Sequence, residues 1–212
     1  MTVLSQTAAE AQKSRADWLG AAIEALKSRG VEAVQITGLA RGMGITRGSF
    51  YWHFKNREAL LDAILAEWRA RNTGVMLDAL KAARGLDDGL LALFSVWLDH
   101  TRFDPALDQA IRDWSRRSDR VAALARAEDD ARIAAISDFL TRFGFDQPEA
   151  LIRARVIYLT QVSYYALGIT ETVEERLSYL DPYFQCFLGR SPDRAAAQTY
   201  FADYLARLSG AG

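Results

Sequence analysis

The residues MGITRGSFYWHFKNREALL, numbers 43 to 61, contain the strongest local pattern of the chain. A glycine suited to a turn precedes a short aromatic segment, and a basic segment then leads into another helix. At about 100° per residue, Phe50 and Phe54 share one side of a helix, whereas Ser49 and Trp52 fall on the opposite side. We therefore expect a short helix that buries one aromatic pair and presents its other side to a partner.

Helical periodicity continues on both sides of this pattern, and no segment shows the sustained alternation of a β-strand. Gly30 is a signal for the end of a helix, and Thr46 and Asn56 are suited to cap helix N-termini. The predicted helices cover residues 8–28, 36–43, 47–53, a long helix after Asn56 with a bend or end at Gly74, 87–102, 105–116, 119–142, 148–168, 172–188 with a kink or split at Pro182, and a last helix from Ser191 and Pro192. The sequence therefore predicts an all-α protein.

Charge is divided unevenly along the chain, although the net formal charge is only -1. Residues 1–57 carry eight basic and four acidic side chains, a charge of +4, whereas the remainder carries 18 basic and 23 acidic side chains, a charge of -5. The first part is therefore expected to meet an anion. We predict an N-terminal domain of residues 1–57 and a larger domain of residues 58–212. Because the charge changes inside a continuous helix near residues 58–70, a rigid joint is expected.

Helix, glycine turn and helix is the arrangement that delivers a second helix into the DNA major groove. Arg47 can reach a guanine edge or a phosphate, while Tyr51 and His53 can donate to phosphates. Lys55 and Arg57 lie beside the N-terminus of the next helix, which also favours an anion. The predicted partner is double-stranded DNA, and the candidate contacts are Arg47, Gly48, Ser49, Tyr51, Trp52, His53, Lys55 and Arg57.

This region resembles the tetracycline-repressor (TetR) family of bacterial transcription regulators. The resemblance is carried by Gly30 and by LARGMGITRGSFYWHFKNREALLDAI from Leu39 to Ile64, and it covers about residues 8–65. It implies an N-terminal three-helix helix-turn-helix domain. A long helix is implied to join this domain to a larger C-terminal helical domain for ligand binding and dimerisation.

The resemblance also implies roles for individual residues. Contacts to base edges are implied for Arg47, Ser49 and Trp52. Contacts to phosphates are implied for Tyr51, His53 and Arg57. Thr37, in the supporting helix, matches a further contact position. The chain departs from the family where Gln35 replaces the usual Ser or Thr cap and Met43 replaces a small Ala. The start of the second helix is therefore expected to shift by a residue or two.

The second domain is rich in aromatic side chains. They either line an apolar ligand pocket with a few polar tips or form plain core, and the residues alone leave both readings open. The candidate pocket residues are Phe94, Trp97, His100, Phe103, Trp114, Tyr158, Tyr164 and Tyr165. The family resemblance favours the pocket, since the second domain of the family usually binds a small, often lipophilic molecule.

The resulting hypothesis is a homodimeric repressor that is released from a palindromic operator by a small, largely apolar effector. Dimerisation is assigned to residues 148–168 and 192–208, where apolar residues cover more than one helix face. One alternative is a DNA-binding regulator that has a filled core and is controlled by a protein partner or by no ligand. A helical enzyme is a remote alternative, because the sequence has no nucleophile elbow and no phosphate-binding glycine loop.

Other features of the sequence narrow the setting. Cys186 is the single cysteine, which excludes an internal disulfide framework and indicates a packing residue in a reducing compartment. The chain starts without a secretory pattern, and no apolar run approaches the roughly 18 residues of a membrane span, so a soluble cytoplasmic protein is predicted. His53 and His100 are separated by 47 residues and lack spaced partners. No metal or cofactor is therefore expected.

Overall fold

The computed structural model describes residues Lys13 to Ser209, without the side chains at 196, 203–205 and 207–209. The regular structure of this part of the chain is entirely helical, which confirms the all-α prediction. None of its helices is both long and apolar enough to cross a membrane. A 3₁₀ segment, Val31–Ala33, follows the first helix and a π-helix, Arg69–Gly74, follows the fourth. The α-helices are α1 (Arg15–Arg29), α2 (Ile36–Gly42), α3 (Gly48–Tyr51), α4 (Arg57–Trp68), α5 (Val75–Ala82), α6 (Leu86–Leu98), α7 (Pro105–Ser115), α8 (Asp119–Arg142), α9 (Gln147–Ala166), α10 (Val173–Ser178), α11 (Leu180–Leu188) and α12 (Arg194–Ser209).

The short helix α3 differs from its predicted extent of 47–53. It has no side-chain cap, so the prediction that Thr46 caps it is wrong. Asn56 does cap α4 as predicted, because its Oδ1 accepts a hydrogen bond from the N–H of Ala59 over 2.9 Å. The predicted helical residues 8–12 lie outside the described part of the chain.

Two later boundaries also differ from the sequence prediction. The segment 172–188 is split as predicted, but the break falls at Tyr179 and not at Pro182. Pro182 lies in the first turn of α11, where its missing N–H leaves no hydrogen bond unmade. The last helix begins at Arg194 and not beside Ser191. Asp193 immediately precedes it and accepts a hydrogen bond from the N–H of Ala195 over 2.8 Å.

The described residues pack into two compact units that alternate along the chain. Unit 1 contains the residues up to Ala70 together with Ala106–Ala125, and unit 2 contains Arg71–Pro105 and the residues from Arg126 onward. Helix α4 therefore packs within unit 1. The predicted functional boundary after residue 57 stays a prediction, since compact packing does not measure which residues bind DNA.

Unit 1 has an apolar core formed by α1 to α4, α7 and the start of α8. Trp18, Phe50 and Trp68 are completely buried in this core. Trp68 also donates a hydrogen bond from Nε1 to Oδ1 of Asp108 over 2.7 Å. The core and this bond together hold α4 against α7, and α4 in turn supports the shorter helices before it.

Unit 2 has a separate apolar core built from α5, α6, α8, α9, α11 and α12. The end of the π-helix is bound within this unit by buried polar side chains. Asn72 donates from Nδ2 to the main-chain oxygen of Asp104 over 2.9 Å, and Arg132 donates from Nε to Oγ1 of Thr73 over 2.9 Å. The π-helix is therefore held by specific hydrogen bonds and is not a frayed helix end.

Candidate nucleic-acid interface

The turn between α2 and α3 is a Schellman motif. Gly44 has a φ of 69° and donates its N–H to the main-chain oxygen of Arg41 over 3.2 Å. Ile45 donates its N–H to the main-chain oxygen of Ala40 over 3.0 Å. A side chain would strain this left-handed backbone, so glycine is favoured at the turn, as the sequence predicts. The motif sets where α3 starts relative to α2.

Helix α3 and the residues after it divide their aromatic side chains between two faces. Phe50 and Phe54 are buried and stacked with ring centroids 5.5 Å apart, and Trp18 packs edge-on against Phe50 at 5.1 Å. In contrast, Trp52 is 82% exposed and Tyr51 is 62% exposed. This burial agrees with the faces predicted from helical spacing. Two adjacent rings are thus left available to a partner.

Four further DNA-binding candidates are also exposed, namely Thr37, Arg47, Gly48 and Lys55. Arg47 immediately precedes α3, and Lys55 follows the buried Phe54. Cationic side chains therefore flank the exposed rings at both ends of the short helix. Positive charge next to a protruding helix is the arrangement that neutralises phosphates on either side of a DNA groove.

Two of the predicted contacts are less available than the sequence indicates. Ser49 is only partly exposed, and its Oγ is covered by protein without a hydrogen-bond partner among the described residues. A base contact by Ser49 requires this hydroxyl to rotate outward. His53 places Nε2 2.8 Å from the main-chain oxygen of Lys13, which ties the end of the α3 region to the start of α1.

Arg57 is also engaged within unit 1. Its guanidinium donates from Nε to the main-chain oxygen of Val34 over 2.6 Å and from Nη2 to that of Val31 over 2.8 Å. Its Nη1 lies 3.5 Å from a carboxylate oxygen of Glu58, and the side chain is 30% exposed. Arg57 therefore holds the 3₁₀ segment and the entry to α2 against the start of α4. The predicted phosphate contact would use a group that already has these partners.

Arg15 is a basic residue near the interface that sequence reasoning missed. Its Cζ lies 4.8 Å from the centre of the Phe54 ring, and its neighbour Ser14 forms a capping box with Asp17 at the start of α1. The hydrogen bonds from Ser14 hold the pKa of Asp17 below its ordinary value. A cation at a helix N-terminus is electrostatically unfavourable, so Lys13 and Arg15 on either side of the cap are a signal of an anionic partner.

Unit 2 contains a small cavity of about 20 Å³, enough for a single water molecule. Phe94, Trp97 and Tyr164 line it, as the sequence predicts for a pocket. The other five predicted pocket residues lie elsewhere. Tyr158 and Tyr165 use their hydroxyls in hydrogen bonds, and Phe103 stacks on Tyr165. His100 is exposed, and Trp114 belongs to the core of unit 1.

Cys186 does not have the packing role that the sequence indicates, because it is exposed. It lines an open groove of about 870 Å³ on the surface of unit 2, next to Pro182 and Tyr183. The apolar residues Phe187 and Leu188, which follow it in sequence, suggest a core position. Helix α11, however, buries only one side, and Cys186 lies on the other.

The comparisons with known proteins point to one family. Residues 19–64 match the family model described as bacterial regulatory proteins, tetR family. The chain is similar to the HTH-type transcriptional regulator SrpR of Pseudomonas putida, with 41% identity over 29% of each chain, and to the class D tetracycline repressor of Escherichia coli, with 38% identity over 32% of each chain. These sequence matches span only about a third of the relatives' length.

Solved structures extend the likeness to the fold of nearly the whole chain. The fatty acid degradation regulator FadR of Bacillus halodurans has a TM-score of 0.61 at 15% identity, covering 82% of this chain and 94% of FadR. A transcriptional regulator of Rhodococcus has a TM-score of 0.55 at 17% identity, covering 93% and 97%. The comparisons therefore lead to two conclusions: residues 19–64 match the N-terminal domain of bacterial regulatory proteins of the tetR family, and nearly the whole chain shares the fold of solved transcriptional regulators.

Proposed function

We propose that the protein is a DNA-binding transcriptional regulator that represses from a palindromic operator as a homodimer. The observation that carries this proposal is the exposed face beside α3. Trp52 and Tyr51 project from a helix whose opposite side is anchored by Phe50 and Phe54. A helix that is fixed by its core but bare on its outer side is suited to enter a groove without rearranging the unit that presents it.

In the proposed complex, α3 lies in the major groove. Arg47 and Trp52 contact base edges, and Gly48 permits the close approach of the DNA backbone. The phosphate contacts come from groups that surround α3, with Thr37, Tyr51, His53 and Lys55 as the predicted set and Arg15 as an addition. We propose that Arg57 contributes by holding α2 and α4 together, because its guanidinium already has these partners, and the phosphate contact predicted from the sequence is the alternative that the salt dependence of binding tests.

A second copy of the chain is the proposed occupant of an exposed apolar face on unit 2. This face follows α9 and continues to the start of α11, through Ile152, Val156, Leu159, Leu167, Ile169 and Tyr179. A contiguous apolar face of this kind is unfavourable in water, and a two-fold axis would cover it with the same surface of a second copy. Such a dimer presents two α3 helices to half-sites about 34 Å apart, or a multiple of that distance.

The predicted role of residues 192–208 in dimerisation has less support than that of α9. The described side chains exposed in this segment are small or polar. Tyr200 and Phe201 are partly buried against the core of unit 2. We therefore propose that α9 and α11 form the dimer contact, and that α11 takes the role that the sequence assigns to the last helix.

We propose that a small effector releases the protein from its operator. Hydrogen bonds within unit 2 connect the proposed effector site to the segment that follows α4. Helix α9 contributes Gln161 to the cavity and Tyr158 to a buried hydrogen-bond network. Arg132 donates to the hydroxyl of Tyr158 over 3.1 Å and to Thr73 in the π-helix. A displacement of α9 would therefore reach the segment that follows α4. The effector acts only through its difference in affinity for two conformers.

A regulator without a ligand, or with a protein partner as its signal, is the second candidate. The observation that favours it is the size of the cavity, which at about 20 Å³ is close to a filled core. If this reading is correct, no small molecule that enters unit 2 will change the affinity of the protein for its operator.

Selection of bound sites from random DNA tests the proposal. The purified protein is expected to enrich a palindrome, and the Arg47→Ala variant is expected to lose preference at one position of each half-site. Arg41→Ala is the matched control, because Arg41 is an exposed arginine on α2 outside the proposed contact set. Failure to enrich any palindrome, or an equal effect of both substitutions, would contradict the proposed interface.

A further inference from the structure

The cavity in unit 2 has an apolar wall and a polar wall. The apolar wall is formed by side chains from α6, α9 and α11, including Phe94, Trp97, Ile157, Leu180 and Phe187. On the polar side, Gln161, Tyr164, Glu171 and Arg176 line the same cavity. A concave space with one apolar side and a few convergent polar groups is the common form of a small-molecule site.

The polar wall contains three atoms that lack hydrogen-bond partners among the described residues. They are Nε2 of Gln161, the hydroxyl oxygen of Tyr164 and Oε2 of Glu171, and all three are shielded by the surrounding protein. Gln161 is only 7% exposed as a whole residue. Burying a polar group without a partner is unfavourable, so three such groups around one cavity favour a ligand that forms hydrogen bonds with them.

The identity of these atoms constrains the chemistry of the ligand. Nε2 of Gln161 can only donate, whereas an ionised Oε2 of Glu171 can only accept, and the tyrosine hydroxyl can do either. Arg176 stacks over the Tyr164 ring at 4.6 Å. Burial raises the pKa of Tyr183, and the charge of Glu171 raises it further, so this hydroxyl stays protonated beside the carboxylate. Glu171 and Arg176 both line the cavity, so their opposite charges balance and the site favours an uncharged ligand over an anion or a cation.

We propose that the effector is a compact, largely apolar and uncharged molecule with a hydroxyl-type donor and acceptor at one end. Its polar end accepts from Gln161 and donates to Glu171, with Tyr164 beside it, and its apolar body packs on Phe94 and Trp97. This inference rests on the proposed ligand-controlled regulator and adds the class of the ligand. It goes beyond the aromatic pocket predicted from the sequence, which contains neither Gln161 nor Glu171.

The open groove next to the cavity is lined by the same apolar residues as the proposed dimer face, so a ligand that enters through it does so while that contact is open. Thr160, Tyr164, Glu171 and Tyr183 line both the cavity and this groove of about 870 Å³. These side chains are the wall between the two spaces. Because the cavity now holds about one water molecule, binding must displace part of this wall, and two members of the proposed polar site therefore move when the ligand enters.

Calorimetric titration of the full-length protein with three probes of similar shape tests the proposal. The probes are 2-naphthol, naphthalene and 2-naphthoate, which differ in having a hydroxyl, no polar group and a carboxylate. We expect 2-naphthol to bind at least about tenfold more tightly than the other two, the change that one unmatched hydrogen bond produces. Equal affinity for all three probes, or binding of none, would overturn the proposal.

Two variants locate the site, and each carries its own check of folding by thermal denaturation. Gln161→Leu and Glu171→Gln are each expected to weaken 2-naphthol binding by about tenfold. Glu171→Gln removes the negative charge and is expected to improve binding of 2-naphthoate. Glu174→Gln is the matched control, since Glu174 is an exposed carboxylate on α10 that does not line the cavity. Unchanged 2-naphthol affinity in both folded variants would overturn the assignment.

Operator binding by the same proteins separates the two proposals. If none of the probes binds but the protein still selects a palindrome, the ligand site is wrong and the DNA-binding function stands. If 2-naphthol binds as expected but no DNA sequence is selected, the ligand site stands and the proposed regulator is wrong.

Discussion

The guanidinium of Arg57 donates a hydrogen bond from Nε to the main-chain oxygen of Val34 over 2.6 Å. This bond joins the first residue of α4 to the residue that follows the 3₁₀ segment, just before α2 begins. A second bond to the main-chain oxygen of Val31 completes the connection. The helix-turn-helix is therefore held against α4 by Arg57, a residue for which the sequence predicts a contact with a DNA phosphate.

Arg57→Met is expected to lower the free energy of unfolding by about 1–3 kcal/mol, because two carbonyl oxygens lose their charged donor. The salt dependence of DNA binding is expected to keep its slope. Lys55→Met is the control: Lys55 is exposed, so its loss should leave stability unchanged and reduce the slope by about one phosphate contact. Urea denaturation and affinity measured at several salt concentrations check both. A reduced slope with unchanged stability for Arg57→Met would instead support the direct phosphate contact.

Trp52→Ala is expected to separate DNA binding from stability. Because the Trp52 side chain is 82% exposed, the free energy of unfolding should change by less than about 0.5 kcal/mol, while operator affinity should fall by about tenfold or more. The comparison is Trp18→Ala, which removes a fully buried ring and should cost about 3–5 kcal/mol. Thermal denaturation and fluorescence anisotropy with labelled operator DNA measure the two properties. Unchanged operator affinity would remove Trp52 from the interface.

Gly48→Ala tests how closely DNA approaches α3. A Cβ at Gly48 would lie 3.6 Å from Oγ1 of Thr46, an ordinary contact, so the fold should tolerate it. If the DNA backbone passes close to this residue, operator affinity should fall by about tenfold, equivalent to about 1.4 kcal/mol. Gly42→Ala on α2, where a Cβ meets no atom within 4 Å, is the control for affinity. Wild-type affinity in Gly48→Ala would show that no close approach occurs.

Gly89→Ala is expected to destabilise unit 2. A Cβ at Gly89 would lie 2.2 Å from two atoms of the Phe139 ring, so α6 or the ring must move, at a cost of about 1–3 kcal/mol. Gly20→Ala on the exposed side of α1 meets no atom within 4 Å and should stabilise by about 0.5–1 kcal/mol. Chemical denaturation distinguishes the opposite signs. Adding Phe139→Leu to Gly89→Ala should recover part of the loss, and an absence of recovery would argue against this contact.

Arg132→Met tests the buried network that links α8, α9 and the π-helix. Arg132 is 1% exposed and donates to Thr73 and Tyr158. Its loss leaves buried polar partners uncompensated and should cost about 3–5 kcal/mol. Arg126→Met, on the exposed side of the same helix, should change stability by less than about 0.5 kcal/mol. Equilibrium denaturation measures both variants, and similar effects of the two would contradict a structural role for the network.

Much of the helix-turn-helix could be predicted because its signals are local. The spacing of Phe50 and Phe54 follows from the period of a helix, and Gly44 adopts the positive φ that its position in the turn requires. Asn56 caps the helix that it immediately precedes. Each of these predictions depends on residues within about one or two helical turns, where backbone geometry alone determines which groups are neighbours.

The predictions that differ from the structure depend on distant partners. Trp114 has the helical spacing of a core aromatic, but periodicity does not say which core, and α7 packs within unit 1. Cys186 directly precedes the buried Phe187 and Leu188 yet faces outward, because α11 buries one side only. The unpartnered groups of Gln161 and Glu171 could not be found from sequence, since a missing partner is visible only after all neighbours are in place.

The sequence by itself therefore determined the helical class, the turn before α3 and the resemblance of the N-terminal region to the TetR family, all of which depend on short-range spacing. The tertiary structure alone decided that Arg57 bonds to Val31 and Val34 and that the hydroxyl of Ser49 is covered. It also decided which polar atoms surround the cavity of unit 2. The physical reason is that hydrogen bonds and burial depend on which distant segments pack together, and helical periodicity carries no information about that choice.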